Sequence, residues 1–162
     1  MEAFYDKTTD NADIIIADSI TVNGPFISTV NYGKYTMSGN FTWPDTTPTT
    51  CGNWVASSTS GDVLTLSSGT TFTNNLGRTV YVTVCYTGQS TGAAGTTKIW
   101  IQTTTGSITW AKSQVTGSAH ISNSAVVLLD PGDSFAINGT QLSGGSVFFN
   151  AATSMLSVII QH

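Results

Sequence analysis

Charged residues are scarce in this chain of 162 residues, with five Lys or Arg and nine Asp or Glu. They make up 9% of the sequence, whereas about a quarter is usual for a globular protein. The surface must therefore be covered largely by Gly, Ser and Thr. A net charge of −4 with so few basic residues provides no electrostatic attraction for polyanions, so we expect no nucleic-acid partner.

Long apolar runs are also missing, and none approaches the length that a membrane span requires. The opening residues, MEAFYDKTTDNAD, lack the basic start and the hydrophobic stretch of a signal peptide. We therefore expect no membrane insertion and no export by the usual secretory route. The length suits one domain with a continuous core, because a chain of about 150 residues buries roughly two-thirds of its unfolded surface.

Cysteine and histidine are too few for a disulfide framework or a metal centre. Cys51 follows a Pro- and Thr-rich loop while Cys85 lies in an alternating strand, so we expect no disulfide between them. His120 and His162 are the only histidines, and neither has a second ligand at a metal-binding spacing. The sequence predicts no metal and no cofactor.

Hydrophobic residues recur with period two throughout the second half of the chain, which indicates β-strands with one packed face. Turn signals rich in Gly, Asn and Ser separate these strands at intervals of about ten residues, as at 60–62, 74–77, 116–118 and 138–139. Short loops of this kind join antiparallel strands, and we predict an all-β antiparallel sandwich or jelly roll. The predicted strands are DVLTLSS, VYVTVCY, KIWIQTTT, SITWAKSQV, SFAIN, SVFF and SMLSVII.

Two regions stand apart from this pattern. Residues 1–45 are predicted to form an N-terminal arm or extra strands, because the following WPDTTPTT forbids a central strand, and residues 46–162 are predicted to form the jelly-roll domain. Five of the nine acidic residues precede Asp45, and the run Ile14-Ile15-Ile16 suits strand addition to a partner. The small residues of 87–97 predict a flexible loop.

That loop contains Gly88-Gln89-Ser90-Thr91-Gly92, a formal match to the nucleophile elbow of hydrolases. The motif is meaningful where a strand turns sharply into a helix and a histidine activates the serine. Here another strand follows, and the pattern arises easily by chance in a Gly-, Ser- and Thr-rich chain. We expect no enzyme, although Ser90 with His120 as its base defines the catalytic alternative.

Asp130 and Asp133 frame the segment Asp130-Pro131-Gly132-Asp133, which is explained locally as a turn. Proline presets the second turn position, and Gly132 accepts the positive φ that a type II turn needs at the third. Calcium prefers six or more oxygen ligands, so these two carboxylates would bind it only with distant partners. Four tryptophans could likewise stack on sugars, but large aromatic residues in a sandwich are normally core residues. These are Trp43, Trp54, Trp100 and Trp110.

The order of segments from about 50 to 160 resembles the C1q and tumour-necrosis-factor superfamily of jelly rolls. TTFTNNLGRTVYVTVCYTG resembles the family segment with an aromatic residue, a turn glycine and an alternating strand, and SAVVLLDPGDSFAIN resembles its hairpin around Gly-Asp. GGSVFFNAATSMLSVII resembles the closing segment, except that Met155, Leu156 and Ser157 stand where the family has Phe and Gly. The residues before the domain contain no collagen-like repeat, so we expect no collagen stalk.

The resemblance implies a trimer and a non-enzymatic role. Because the composition and the start of the chain do not suit a secreted cytokine, we expect a structural virion protein that forms part of a viral capsid or decorates it. Its arm would dock on other capsid proteins, and its loops would face a host receptor or glycan. The alternative is a C1q-like or lectin-like trimeric module, secreted or in a cell surface or spore coat. The aromatic residues expected at the trimer interface are Tyr81, Tyr86, Phe148 and Phe149.

Overall fold

A computed structural model describes residues 31–44, 46–92, 95–106, 108–115, 119–142 and 147–161. This part of the chain is almost entirely β-structure and contains one short 3₁₀ helix, Ala151–Thr153. None of its helices is long and apolar enough to cross a membrane. The strands are β1 (Asn31–Met37), β2 (Phe41–Trp43), β3 (Thr49–Thr50), β4 (Trp54–Ser60), β5 (Thr65–Ser67), β6 (Thr71–Thr73), β7 (Val80–Gly92), β8 (Gly95–Thr103), β9 (Ile108–Val115), β10 (Ala119–Leu129), β11 (Ser134–Leu142), β12 (Val147–Phe149) and β13 (Met155–Gln161).

The strands form two antiparallel sheets that pack as a sandwich. Sheet A has seven strands in the order β2-β12-β7-β13-β1-β4, and β10 also pairs with β7. Sheet B has six strands in the order β5-β6-β11-β8-β9, and β3 also pairs with β11. The predicted antiparallel sandwich is therefore confirmed.

Period-two alternation decides which side chains enter the space between the sheets. In β7, Val80, Val82 and Val84 are fully buried, whereas Tyr81 between them is exposed. Both sheets contribute large residues to one continuous core, and each such side chain stabilises the fold by about 1.5–3 kcal/mol. The largest buried side chains are Trp43, Trp54, Phe72, Phe135 and Phe149.

Residues 31–43, which the sequence assigned to an N-terminal arm or extra strands, form strands of the sandwich. Strand β1 lies between β13 and β4 inside sheet A, and β2 pairs with β12. Tyr35 and Trp43 from these strands are core residues, 2% and 0% exposed. Period-two alternation cannot show which distant strands pair, and β1 pairs with a strand more than a hundred residues away. The remainder of the predicted arm, residues 1–30, lies outside the described part of the chain.

Two segments that were predicted to be a loop or a turn belong mainly to strands. Residues 87–92 continue β7 and residues 95–97 already belong to β8, so the segment 87–97 is mostly strand. Pairing with both β10 and β12 offsets the low strand propensity of its small residues. Asn138-Gly139 forms no turn and lies inside β11. The turn predicted at 116–118 falls outside the described residues.

Candidate functional site

The face of sheet A that points away from sheet B, called here the outer face, carries a contiguous group of exposed apolar side chains. Leu128 of β10 pairs directly with Tyr81 of β7, and Val126 pairs with Thr83 one step along the same face. Thr83 in turn pairs with Ile159 of β13. Directly paired residues share a face and lie about 5 Å apart. Side chains from three adjacent strands therefore form one apolar patch.

This patch is unusually exposed for apolar residues. Tyr81 is 55% exposed, Val126 59%, Leu128 50% and Ile159 36%. Single exposed apolar residues are common, but a contiguous group on a regular sheet is typical of a surface that a partner covers. The patch formed by Tyr81, Val126, Leu128 and Ile159 is hereafter called the apolar patch.

Further along the same three strands, the outer face becomes polar and forms a shallow groove. Cys85 of β7 pairs with Ser124 of β10 on one side and with Ser157 of β13 on the other. Thr87 beside it pairs with Ser122 and Met155. The groove, which these residues line, has a volume of about 450 Å³. None of its lining residues is Lys, Arg, His, Asp or Glu, so the groove suits contact with a neutral polar group.

The residues predicted at the trimer interface do not all lie on the surface. Tyr81 lies in the apolar patch, but Tyr86 and Phe149 are core residues, 3% and 0% exposed, and neither is available to a partner. Tyr86 falls on the even-numbered, inward side of β7 with the valines. Phe149 packs against Trp43 with ring centroids 4.3 Å apart. The side chain of Phe148 lies outside the described residues.

Val126, Leu128 and Ile159 were missed by the sequence-based prediction of the interface. AVVLL, residues 125–129, is apolar at every position, so its sequence does not show which residues face the core. The structure places Val127 and Leu129 inside and their neighbours outside. Only the register with β7, which the sequence does not show, assigns Leu128 to the face of exposed Tyr81.

The catalytic alternative gains no support from the strand register. Ser90 pairs with Ala119, whereas His120 pairs with Gln89. His120 is therefore one register position away from the residue that pairs with Ser90. Ser90 also lies within β7 and not at a strand-to-helix turn. The arrangement that a nucleophile elbow requires is not formed at this position.

The turn at Asp130 is confirmed, and its two carboxylates have local partners. The Asp133 amide donates to the Asp130 carbonyl oxygen at 2.9 Å, and Gly132 has a φ of 89°. Thr79 Oγ1 donates to Asp130 Oδ1 at 2.6 Å, and Thr104 Oγ1 donates to Asp133 Oδ1 at 3.1 Å. Within the described residues, no group of three or more His, Cys, Asp or Glu is placed to hold a metal ion.

Asn74 connects this turn to the neighbouring loop. Its backbone amide donates to the Asp133 carbonyl oxygen at 2.8 Å, and its backbone carbonyl accepts from Gly132 at 2.8 Å. The side-chain amide donates to the carbonyl oxygens of Arg78 and Leu129, at 2.8 and 3.0 Å. These contacts give the two aspartates a structural explanation.

Both cysteines are free, as predicted. Cys51 is fully buried in the core, and this burial raises the pKa of its thiol to about 12. Cys85 is half-buried in the groove on the outer face. Of the two thiols, Cys85 is therefore the one that solvent can reach.

The three tryptophans whose side chains the structure describes are too buried to form a sugar-binding platform. Trp43 and Trp54 are core residues, 0% and 1% exposed. Trp100 is largely buried, and its indole Nε1 donates to Gln102 Oε1 at 3.2 Å. Trp110 pairs with Trp100 in register, and its side chain lies outside the described residues.

No protein-family model matches the chain, and no curated protein matches it in sequence. Solved structures of similar fold include the following two. Eiger TNF from S. frugiperda has a TM-score of 0.60 and 14% identity, and the match covers 83% of this chain and 94% of that chain. The globular domain of zebrafish complement 1qA protein has a TM-score of 0.53 and 13% identity, with 82% and 98% covered.

At these identities the likeness concerns the fold alone. The chain has the TNF/C1q-like jelly roll that the order of its segments predicted. The strands that carry the apolar patch, β7, β10 and β13, all belong to this jelly roll.

Proposed function

We propose that this protein is a non-enzymatic structural module that assembles as a homotrimer through the outer face of sheet A and forms part of a viral capsid or decorates it. The observation that carries the proposal is the apolar patch. The TNF/C1q-like fold supports it, since the resemblance to that superfamily implies a trimer.

The physical chemistry of the patch favours a copy of this chain as its partner. Apolar surface in water costs roughly 25 cal/mol per Å², and a cyclic trimer buries the same patch on every subunit. Like charges do not oppose this contact, because the patch residues are uncharged. The groove beside the patch would come to lie near the same interface.

The role in a virion rests on composition and on the N-terminal segment. Residues 1–30 contain Glu2, Asp6, Asp10, Asp13 and Asp18 against a single Lys7, while residues 31–162 contain four basic and four acidic residues. The net charge of −4 therefore resides entirely in the N-terminal segment. An acidic extension on a neutral module suits attachment to other capsid proteins.

The trimer is tested by sedimentation equilibrium at micromolar concentration. We expect a mass near three times 17.0 kDa for the natural chain and a monomer for Leu128→Asp. Leu142→Asp is the matched control, because Leu142 is 51% exposed but lies at the end of β11 in sheet B. A natural chain that is monomeric, or a loss of assembly with Leu142→Asp alone, would contradict the proposed interface.

The virion role requires a separate measurement. Mass spectrometry of virus particles purified from the source of this sequence should detect the chain in a copy number divisible by three. Its absence from gradient-purified particles would contradict the role in the capsid and leave the trimer intact.

The second candidate is a C1q-like or lectin-like trimeric binding module, and the polar groove favours it. Hydroxyl groups of Ser122, Ser124, Ser157 and Thr87 suit hydrogen bonding to a neutral glycan. Binding on a glycan array that is lost in Ser157→Tyr, which fills the groove, would support this candidate over the capsid role. Ser58→Tyr, on exposed β4 outside the groove, is the control.

A further inference from the structure

Strand β4 forms an open edge of sheet A. Within the described residues it pairs with β1 alone and is the last strand in the sheet order. The residues from Val55 to Thr59 are all exposed, although successive residues of a strand point to opposite faces. Among the residues that the structure describes, nothing covers either face of this strand along most of its length, and no strand lies beside its outer backbone groups.

Proteins usually protect such edges with charged residues, prolines or bulges. The sequence WVASSTS of β4 contains no charged residue and no proline. One bulge interrupts its pairing with β1 between Lys34 and Tyr35, where Ser57 Oγ donates to the Lys34 carbonyl oxygen at 3.1 Å. A seven-residue edge with this composition is a good template for another strand.

The N-terminal segment enters the sandwich beside this edge. Asn31 begins β1, and the next residue, Tyr32, pairs directly with Ser60 at the end of β4. A strand added to the free edge would lie two strand spacings from β1, which is about 10 Å. Residues 23–30 are eight in number and can span up to about 27 Å, so residues before them can reach the edge.

The sequence of residues 13–22, DIIIADSITV, suits this position. It contains six β-branched residues and no Gly or Pro, whereas Asn23-Gly24-Pro25 immediately after it is a turn signal. Val55, 43% exposed, offers an apolar contact to its isoleucines. The exposed ammonium group of Lys34, next to β4, offers a partner for Asp13 or Asp18.

From these observations we infer that residues 13–22 of this chain add a strand to the free edge of β4. The contact requires only that a segment within reach pairs with exposed backbone, so it can form in the segment's own sandwich or, by exchange, in a neighbouring copy. If residues 13–22 pair with β4 of a neighbouring copy, this strand addition would attach the N-terminal arm of one subunit to the next. The inference does not depend on the trimer, because the edge of β4 and the apolar patch are different surfaces.

Hydrogen exchange of the full-length protein, read by NMR amide by amide, tests this inference. The outward-pointing amides of residues 55–60 should be protected in the natural chain. Successive amides of a strand point to opposite edges, so the amide of either residue 15 or residue 16 faces β4. One of the two variants Ile15→Pro and Ile16→Pro therefore removes a hydrogen bond to β4. We expect that variant to accelerate exchange of the β4 amides by at least about tenfold.

Thr9→Pro is the matched control, because it lies outside residues 13–22 and should leave β4 protected. Amides of β13, which lies between β1 and β7, report that the sandwich is intact in every variant. Exchange of the β4 amides at unprotected rates in the natural chain would overturn the inference. Protection that neither proline changes and that rises with protein concentration would also overturn it, since it would indicate pairing between two β4 strands.

Discussion

Gly139 lies against the indole ring of Trp43, so closely that a Cβ on Gly139 would stand 2.5 Å from Cζ2 of the tryptophan. Trp43 is fully buried and packs edge-on against Phe149, with centroids 4.3 Å apart. The ring therefore occupies the space of a missing side chain on β11. This contact joins the two sheets at one end of the sandwich.

Gly139→Ala should destabilise the protein by about 1–3 kcal/mol, because the added methyl group overpacks a buried site. Urea unfolding followed by tryptophan fluorescence measures the change. Gly39→Ala is the control, since a Cβ there meets nothing within 4 Å, and it should change the free energy of unfolding by less than about 0.5 kcal/mol. Equal stability of the two variants would show that the ring of Trp43 moves aside freely.

The same contact explains why the turn predicted at Asn138-Gly139 is wrong. Asn-Gly between apolar runs is a strong turn signal, yet here glycine is needed for a close approach of Trp43, which is 96 positions away. A local pattern cannot reveal that requirement. Asp130-Pro131-Gly132-Asp133 was predicted correctly because its hydrogen bonds and its positive φ arise within the turn itself.

Asn74 is expected to be the most sensitive polar residue near that turn. Asn74→Ala removes two side-chain donors from the Arg78 and Leu129 carbonyl oxygens and one acceptor from the Leu76 amide. At about 1 kcal/mol for each hydrogen bond, the free energy of unfolding should fall by about 3 kcal/mol. Asn75→Ala, which loses one exposed bond to Thr65, should cost less than about 1 kcal/mol, and thermal unfolding compares the two.

The buried thiol of Cys51 should make stability fall with pH. Burial raises the pKa of this thiol from 9.0 to about 12, so between these values the unfolded chain loses a proton that the folded chain keeps. The stabilisation is complete below pH 9 and decreases above it, by about 1.4 kcal/mol between pH 8 and pH 10. Burial raises the pKa of Tyr35 and Tyr86 as well, but their ordinary value of 10.0 places their effect at higher pH.

Cys51→Ala isolates this effect. The variant loses stability at every pH because it leaves a cavity, but the decrease between pH 8 and pH 10 should be smaller than in the natural chain by the contribution of the thiol. Urea unfolding at a series of pH values gives both curves. Parallel curves would show that the thiol titrates normally in the folded state.

The candidate site was predictable only in part. The alternation of β7 identified Tyr81 as outward-facing, but the position of β7 between β10 and β13 depends on pairing between distant segments. The apolar patch is a property of three strands and no single one of them shows it. The same applies to the groove, which forms because small side chains at Cys85, Ser124 and Ser157 meet in one register row.

The reactivity of Cys85 should report on assembly, because this thiol lies in the groove beside the apolar patch. It is two residues along β7 from Thr83, which pairs with Val126 and Ile159. If the apolar patch is the trimer interface, assembly restricts access to the neighbouring thiol. At micromolar concentration Cys85 should react with a thiol reagent at least about tenfold more slowly in the natural chain than in monomeric Leu128→Asp. Buried Cys51 should react in neither protein while it is folded, and so serves as an internal control. Mass spectrometry of the labelled peptides separates the two sites. Equal labelling rates of Cys85 in the two proteins, with the natural chain trimeric, would mean that the trimer forms through another surface.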